Sequence, residues 1–114
     1  MNIKKAVSLL DSLAQENRLK TFGILVKAGL DGLVAGEISK KMNMPQNTMS
    51  FHLSNLKNSG LIKSKKQSRY IIYSIDFVTV EKLMKFLLKH CCSDSKNKCR
   101  IALNFIPLFK GDKK

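Results

Sequence analysis

The hydrophobic periodicity of this chain changes at Gly60, and that change limits the folds open to it. Before Gly60, apolar residues recur every three or four positions, which is the spacing of amphipathic helices. A strand then begins at Leu61, and a second strand over Tyr70–Ile75 alternates between two faces. Helical spacing returns after Asp76, which is suited to cap a fifth helix. This order predicts a mostly α domain with a β-hairpin, an α+β fold.

Four helices are predicted before Gly60. The first covers residues 1–16, and the second begins at a cap provided by Asn17 and ends at Gly29. A third, short helix is separated from the fourth by a turn that ends at Pro45, whose missing N–H is harmless at a helix start. The apolar positions of the four helices are, in order, Ile3, Ala6, Val7, Leu10 and Ala14; Leu19, Phe22, Leu25 and Val26; Val34, Ile38 and Met42; and Met49, Leu53 and Leu56.

The fourth helix has a single narrow apolar seam at i, i+4 and i+7, formed by Met49, Leu53 and Leu56. Such a helix can dock on its own domain along the seam and leave its polar faces in solvent. Two short helices joined by a tight turn and followed by a hairpin are the layout of a winged helix-turn-helix. We therefore predict one domain, with the helix-turn-helix over about 34–58 and the wing over about 61–75.

The charge distribution favours a nucleic-acid partner. The formal net charge is +13, from 21 Lys and Arg against 8 Asp and Glu. A stretch of one sign that faces a polyanion is typical of nucleic-acid binding, although basic surfaces also meet anionic lipids and acidic proteins. No carboxylate lies between Glu37 and Asp76, while that stretch carries Lys40, Lys41, Lys57, Lys63, Lys65, Lys66 and Arg69.

The first turns of the fourth helix and the hairpin supply the candidate DNA contacts. Asn and Gln side chains can bind adenine with two hydrogen bonds, and lysines of a wing neutralise phosphates. Phe51 is either a core residue or a contact for a thymine methyl group, and a packed or surface position is the stronger interpretation of His52 than a switch or ligand. Polar helix starts also serve as caps, and lysine-rich hairpins as solvated loops. The candidate DNA-binding residues are Gln46, Asn47, Thr48, Ser50, Phe51, His52, Asn55, Lys57, Lys65, Lys66 and Arg69.

All three cysteines, Cys91, Cys92 and Cys99, lie in one short window near the end of the fifth helix. Thiolates bind soft, thiophilic ions, and three of them can form a pyramidal site that suits trivalent arsenic or antimony. A structural zinc site usually needs a fourth ligand. Adjacent residues of a helix point about 100° apart, so Cys91 and Cys92 can share an ion only where the helix frays or has ended. Another thiophilic metal, a peroxide-sensing set and incidental thiols remain alternatives.

The sequence contains no run of apolar residues long enough to cross a membrane, and no small-residue cleavage site follows the first apolar stretch. We therefore expect a cytoplasmic protein without a membrane partner, in which the cysteines are reduced thiols. No glycine-rich phosphate loop, paired carboxylates or cofactor motif is present. A thiol-dependent enzyme that uses Cys91 beside His90 is disfavoured, because sequence neighbours rarely form a nucleophile–base pair.

Five segments of the chain, taken in order, match one known family: residues 13–19, 37–39, 45–53, 56–62 and 69–73. On these segments the chain resembles, over residues 5–100, the ArsR family of metal- and metalloid-responsive repressors. Many relatives carry Arg where this chain has Phe51, so the operator is expected to differ. The pattern of two adjacent cysteines and a third after six residues is similar to that of the arsenite-sensing subgroup.

The resemblance implies a homodimer formed through the first and last helices and bound to an inverted-repeat operator that overlaps a promoter. It implies that trivalent arsenic or antimony binds Cys91, Cys92 and Cys99 and releases the protein from DNA. It also implies that DNA binding requires no cofactor. A dimer and sensor helix over about 77–92 and a C-terminal tail over 93–114 complete this interpretation. A winged-helix regulator that responds to another thiophilic metal or a redox signal, or to no metal, is the alternative.

Overall fold

The computed structural model describes the backbone of residues 1–91 and the side chains of residues 1–89. It confirms the predicted fold class, since the described residues form five helices and a small antiparallel sheet that extends into a hairpin. The elements in chain order are α1 (Ile3–Leu13), α2 (Glu16–Ala28), a 3₁₀ turn (Gly29–Asp31), β1 (Leu33–Val34), α3 (Ala35–Met42), α4 (Gln46–Ser59), β2 (Ile62–Gln67), β3 (Tyr70–Ile75) and α5 (Phe77–Cys91).

The apolar seam of α4 lies at the centre of the core. Met49, Leu53 and Leu56 have no solvent-exposed surface, as the i, i+4, i+7 pattern predicts. Burying side chains of this size stabilises a fold by about 1.5–3 kcal/mol each. Because the seam is narrow, the rest of α4 stays outside the core. The residues buried around it are Ala6, Leu9, Leu25, Ile38, Leu61, Ile62, Ile75 and Leu83.

The second helix begins two residues earlier than predicted. Gln15 is the cap, because its extended backbone lets its side-chain Oε1 accept a hydrogen bond from the backbone N–H of Arg18 at 2.9 Å. Asn17 therefore lies inside the first turn of α2, and the prediction of Asn17 as cap is wrong. The first helix is correspondingly shorter than predicted and ends at Leu13.

The sheet holds the wing against the helix-turn-helix. Its strand order is β1-β3-β2, and the two-residue strand β1, which no sequence pattern predicts, pairs Leu33 with Tyr73 and Val34 with Ile72. Since α3 begins at the next residue, Ala35, β3 is hydrogen-bonded to the chain that enters the helix-turn-helix. The position of the wing relative to α3 is therefore fixed by backbone hydrogen bonds.

The first strand of the hairpin is longer than the sequence pattern indicates. The polar and basic residues 63–69 suit a solvent-exposed hairpin tip, but strand β2 continues to Gln67, and the turn consists of Ser68 and Arg69. Lysines are common on edge strands because their charge opposes pairing with another chain. The basic residues of β2 are thus held on an ordered strand and not on a loop.

Helices α1 and α5 expose apolar side chains. Ile3 and Val7 on α1 are 62% and 57% exposed, and Val78 on α5 is 60% exposed. Asp76 caps α5 as predicted, with its Oδ1 atom accepting a hydrogen bond from the backbone N–H of Thr79 at 3.2 Å. Among the residues that the structure describes, no helix combines the length and apolarity needed to cross a membrane.

Alanine substitutions at two glycines are predicted to change the free energy of unfolding in opposite directions. Gly32 has a φ of +70°, and an added Cβ would overlap the carbonyl oxygen of Tyr73, whereas Gly23 lies in α2 with open space around it. We expect Gly32→Ala to lower the free energy of unfolding by about 1–3 kcal/mol because of backbone strain and overlap. Gly23→Ala should raise it by about 0.5–1 kcal/mol. Urea denaturation of both variants measures the two changes, and equal effects would contradict the assigned geometry.

Candidate DNA interface

The turn between α3 and α4 determines where α4 begins. Asn43 ends α3 in a left-handed conformation with φ of +54°, which asparagine tolerates better than most residues. The N–H of Met44 then donates to the carbonyl oxygen of Ser39 at 3.0 Å, and Pro45 takes the cap position of α4. The short turn thus directs the polar first turns of α4 away from the core.

Four of the candidate polar residues lie exposed at the start of α4, as predicted. The Oδ1 atom of Asn47 accepts a hydrogen bond from the N–H of Thr48 at 2.9 Å. This bond uses one of the two lone pairs of the Asn47 amide oxygen, so the amide keeps one acceptor position and two N–H donors for a partner. The first turn therefore presents amide and hydroxyl groups to a partner outside the molecule, from Gln46, Asn47, Thr48 and Ser50.

Phe51 and His52 are adjacent but lie in different environments. Phe51 is 63% exposed, so the interpretation of Phe51 as a core residue is wrong. Its ring stands edge-on to the ring of His52, with the two centroids 6.0 Å apart. An exposed aromatic ring on the outer face of α4 can make apolar contact with a base.

His52 is 7% exposed, so it does not lie on the surface with the other DNA-binding candidates, and the prediction of His52 as a DNA contact is wrong. Burial lowers the pKa of His52, and the positive charge of Arg18 on α2 lowers this pKa further. Among the described residues, no hydrogen-bond partner contacts its Nδ1 atom. His52 is therefore a neutral packing residue between α4 and α2 at neutral pH, in line with the favoured interpretation of the sequence.

The second half of α4 contributes less exposed polar surface than its start. Asn55 is half-buried and Lys57 is exposed. Gly60 follows with φ of +99°, and its N–H donates to the carbonyl oxygen of Lys57 at 3.0 Å, which ends the helix. Lys57 lies in this last turn, where a cation also offsets the negative end of the helix dipole.

The three wing candidates Lys65, Lys66 and Arg69 are exposed. Lys65 lies opposite Ile72 and Lys66 opposite Ile71, so the two lysines project from opposite faces of the hairpin. Arg69 occupies the two-residue turn. The wing therefore presents cations on both faces and at its tip, and a phosphate backbone can be contacted from any of these sides.

A groove between α3 and α4 contains Lys40, which the sequence-based site omits. Lys40 and Gln46 both line it, and Gly36 forms part of its wall. An added Cβ at Gly36 would lie 2.9 Å from the Nε2 atom of Gln46, so glycine at this position leaves room for the Gln46 side chain beside α3. The groove combines the ammonium group of Lys40 and the amide of Gln46 with the carboxylate of Glu37, which also lines it. Lys40 belongs to the carboxylate-free stretch, and only the charge run, not the helix pattern, indicates it from the sequence.

The candidate thiol site lies largely outside the described residues. Cys91 is the last residue of α5, and only its backbone is described. Cys92 and Cys99 lie beyond the described part of the chain. Among the side chains that are described, no three His, Cys, Asp or Glu residues are grouped to hold a metal ion.

Comparison with known proteins agrees with this geometry. A family model described as a helix-turn-helix domain matches residues 13–65. The chain is 30% identical to the transcriptional activator HlyU of Vibrio cholerae over 91 residues, which are 80% of this chain and 82% of HlyU. A structure of HlyU from the same species superposes with a TM-score of 0.63, at 28% identity, and the match covers 82% of this chain and 100% of that one.

Two further solved structures are similar. The transcriptional repressor PagR of Bacillus anthracis is 30% identical, has a TM-score of 0.62, and is matched over 75% of this chain and 94% of its own. The homodimeric winged helix-turn-helix DNA-binding domain of Mb0332 from Mycobacterium bovis, an ArsR-family candidate, has a TM-score of 0.60. It is 21% identical and is matched over 77% of this chain and 85% of its own, and this likeness shows the fold alone.

The lowered pKa of His52 predicts a pH dependence of stability. The unfolded chain binds a proton at the ordinary pKa of 6.5, whereas the folded chain binds it only at lower pH. The free energy of unfolding should therefore not depend on His52 above the unfolded-state pKa of 6.5. It should decrease as the pH falls from 6.5 through the lower pKa of the folded state.

Urea denaturation between about pH 7.5 and pH 5.5 measures this slope, in a window where ordinary carboxylates titrate little. The His52→Leu variant should show a smaller decrease than the wild-type protein over the same window, because it lacks the titrating ring. An unchanged slope in that variant would show that His52 does not cause the dependence.

Proposed function

The chain belongs to the ArsR/HlyU family of DNA-binding winged helix-turn-helix transcriptional regulators, and from this premise we propose that it is a homodimeric repressor that binds an inverted-repeat operator. The observation that carries the proposal is the combination of an exposed polar start of α4 with a cationic wing, both supported by one apolar core. The two features supply the two kinds of contact that sequence-specific binding needs, which are contacts to bases and to phosphates.

Helix α4 is the proposed recognition helix. Its first turns carry Gln46 and Asn47, whose amides match the donor and acceptor pattern of adenine in the major groove. Thr48 and Ser50 add hydroxyl groups, and Phe51 adds an exposed apolar surface for a thymine methyl group. The burial of Met49 and the exposure of its neighbours support this assignment, because the helix enters the groove with only one side in contact with the protein.

The wing and the groove between α3 and α4 are the proposed phosphate contacts. Lys65, Lys66 and Arg69 are exposed on the hairpin, and Lys40 lines the groove beside the start of α4. These cations flank the recognition helix on two sides. Each neutralised phosphate releases counterions, so binding should weaken steeply as salt increases.

The exposed apolar faces of α1 and α5 support the homodimer. Ile3, Val7 and Leu10 form one stripe on α1, and Val78 and Leu87 are exposed on α5. Burial of such residues against a second copy removes apolar surface from water. In a symmetric dimer the two recognition helices would lie about 34–36 Å apart, which is one turn of DNA.

Whether the protein activates or represses transcription can be tested directly. The two relatives at about 30% identity are named an activator and a repressor, respectively HlyU and PagR. Transcription in vitro from the promoter of the chain's own gene, with and without the purified protein, distinguishes the two. Repression is expected, because a dimer on an operator that overlaps a promoter excludes the polymerase, and increased transcription would contradict the proposal.

Two substitutions separate base contacts from phosphate contacts. We expect Asn47→Ala to weaken binding to a selected operator by about tenfold or more while leaving binding to random duplex nearly unchanged. Lys65→Gln should weaken binding to both duplexes and reduce the slope of log K against log salt by about 0.9. Lys27→Gln, which removes an exposed lysine of α2 outside the helix-turn-helix and the wing, is the matched control.

Fluorescence anisotropy at several salt concentrations measures these changes. If Asn47→Ala and Lys65→Gln leave the affinity and the salt slope at wild-type values, α4 and the wing do not form the DNA interface.

We further propose that a trivalent arsenical, or antimony, bound by Cys91, Cys92 and Cys99 lowers the affinity for DNA. The sequence supports this effector, since three soft thiols lie in one short window at the end of α5. Helix α5 also exposes apolar residues proposed for the dimer interface, so a ligand at its end has a short route to that interface. Linkage requires tighter binding of the ion to the DNA-free state, and a tenfold release corresponds to about 1.4 kcal/mol of coupling.

Replacement of each cysteine by serine tests the effector. In a gel-shift assay arsenite is expected to release the wild-type protein from its operator, and Cys91→Ser, Cys92→Ser and Cys99→Ser should each lose most of this response. Zinc and peroxide, added separately, test the alternative effectors. Release by arsenite that survives all three substitutions would rule out this thiol site, and release by peroxide alone would favour a redox regulator.

A further inference from the structure

Three polar side chains join α1 to the end of α4, and we call Lys5, Ser12 and Ser59 the α1–α4 polar cluster. The Oγ atom of Ser12 donates to the Oγ atom of Ser59 at 3.0 Å. The Nζ atom of Lys5 donates to the backbone carbonyl oxygen of Ser59 at 2.9 Å. Both hydrogen bonds meet at Ser59, the last residue of α4.

The two serines are held rigidly. Ser12 is 6% exposed and Ser59 is 8% exposed, so both hydroxyl groups lie out of contact with bulk water. Each hydroxyl also contacts a carbonyl oxygen of its own helix, Leu9 for Ser12 and Leu56 for Ser59, both at 2.9 Å. Hydrogen bonds are directional, so this arrangement restricts rotation of α4 relative to α1 as well as separation.

Lys5 binds the α4 end at the point where backbone groups are unpaired. The last carbonyl groups of a helix have no partner within the helix, and they carry its partial negative charge. The ammonium group of Lys5 therefore makes a charge-assisted hydrogen bond with Ser59, a stronger type than a bond between neutral groups. The left-handed Gly60 follows directly and turns the chain into the wing.

Helix α1 has two opposite faces with different partners. The face with Ala6, Leu9 and Ser12 is buried against the domain, while Ile3 and Val7 point outward and are largely exposed. The outward face is the one proposed above for the second copy. One short helix thus connects the proposed dimer interface to the end of the proposed recognition helix.

We propose that the α1–α4 polar cluster positions the recognition helix relative to the dimer axis and so determines which half-site spacing the dimer accepts. This inference rests on the proposed homodimeric DNA binding. Lys5, Ser12 and Ser59 are positioning residues and contact no base. Their loss should let α4 tilt on its apolar seam, because apolar contact by itself is not directional.

The test compares operators that differ only in spacing. A duplex is first selected from a random pool by the wild-type protein, and variants are then assayed on that duplex, on an isolated half-site, and on duplexes with the half-site spacing changed by one or two base pairs. The variants are Ser59→Ala and Lys5→Gln, with Lys5→Arg as a conservative replacement that keeps a donor. Lys4→Gln, at the neighbouring exposed lysine of α1, is the control for charge.

We expect Ser59→Ala and Lys5→Gln to bind the selected duplex about fivefold more weakly, to bind the half-site as the wild type does, and to discriminate less between spacings. Lys5→Arg and Lys4→Gln should keep the wild-type preference. Thermal denaturation monitors the folded fraction of each variant. If Ser59→Ala does not fold, Lys5→Gln, which alters an exposed residue, tests the inference by itself. A spacing preference unchanged in Lys5→Gln overturns the inference while DNA binding stands. A wild-type protein that selects no duplex overturns both this inference and the proposed function.

Discussion

The packing of the α4 seam is the interaction on which the arrangement of the molecule depends. Met49, Leu53 and Leu56 are fully buried, whereas much of the rest of the helix, including Thr48, Ser50, Ser54 and Lys57, is exposed. Burial of each side chain stabilises the fold by about 1.5–3 kcal/mol, so the loss of any one of them would be a large change against the roughly 5–15 kcal/mol net stability of a domain. Packing of this seam leaves polar faces of α4 in solvent, so the surface proposed to contact DNA follows from the packing of the core.

Electrostatics add a second constraint to this surface. The stretch between Glu37 and Asp76 contains no carboxylate, and the structure distributes its cations over the α3–α4 groove, the end of α4 and the hairpin. Most of these groups are exposed, so they add little to folding stability and are screened by salt. Cations so placed favour the approach of a polyanion and can neutralise its phosphates. The apolar seam thus stabilises the fold, and the charge run has its proposed role in DNA binding.

The sequence predicts the elements that local chemistry determines and misses those that need distant partners. The α4 seam, the Pro45 turn and the Asp76 cap each depend on residues within a few positions, and all three are confirmed. Strand β1 has only two residues and exists because β3 pairs with it, so no local pattern indicates it. Phe51 and His52 are both compatible with either face of a helix. Their exposure is decided by the exact direction of α4 against α2, which a helical period gives only to within tens of degrees.

The α1–α4 polar cluster restricts the angle of α4, which the apolar seam does not fix by itself. Apolar burial fixes which side of α4 faces the core, but it tolerates small rotations and shifts, because its free energy depends on area and not on direction. A dimer that reads two half-sites requires the angle of each recognition helix to be set more narrowly than this. Hydrogen bonds from Ser12 and Lys5 to Ser59 fix the end of α4 against the helix whose outer face is exposed and apolar. Any change in the packing of α1 would then be transmitted to α4 as a change in angle, while the core around the seam stays intact.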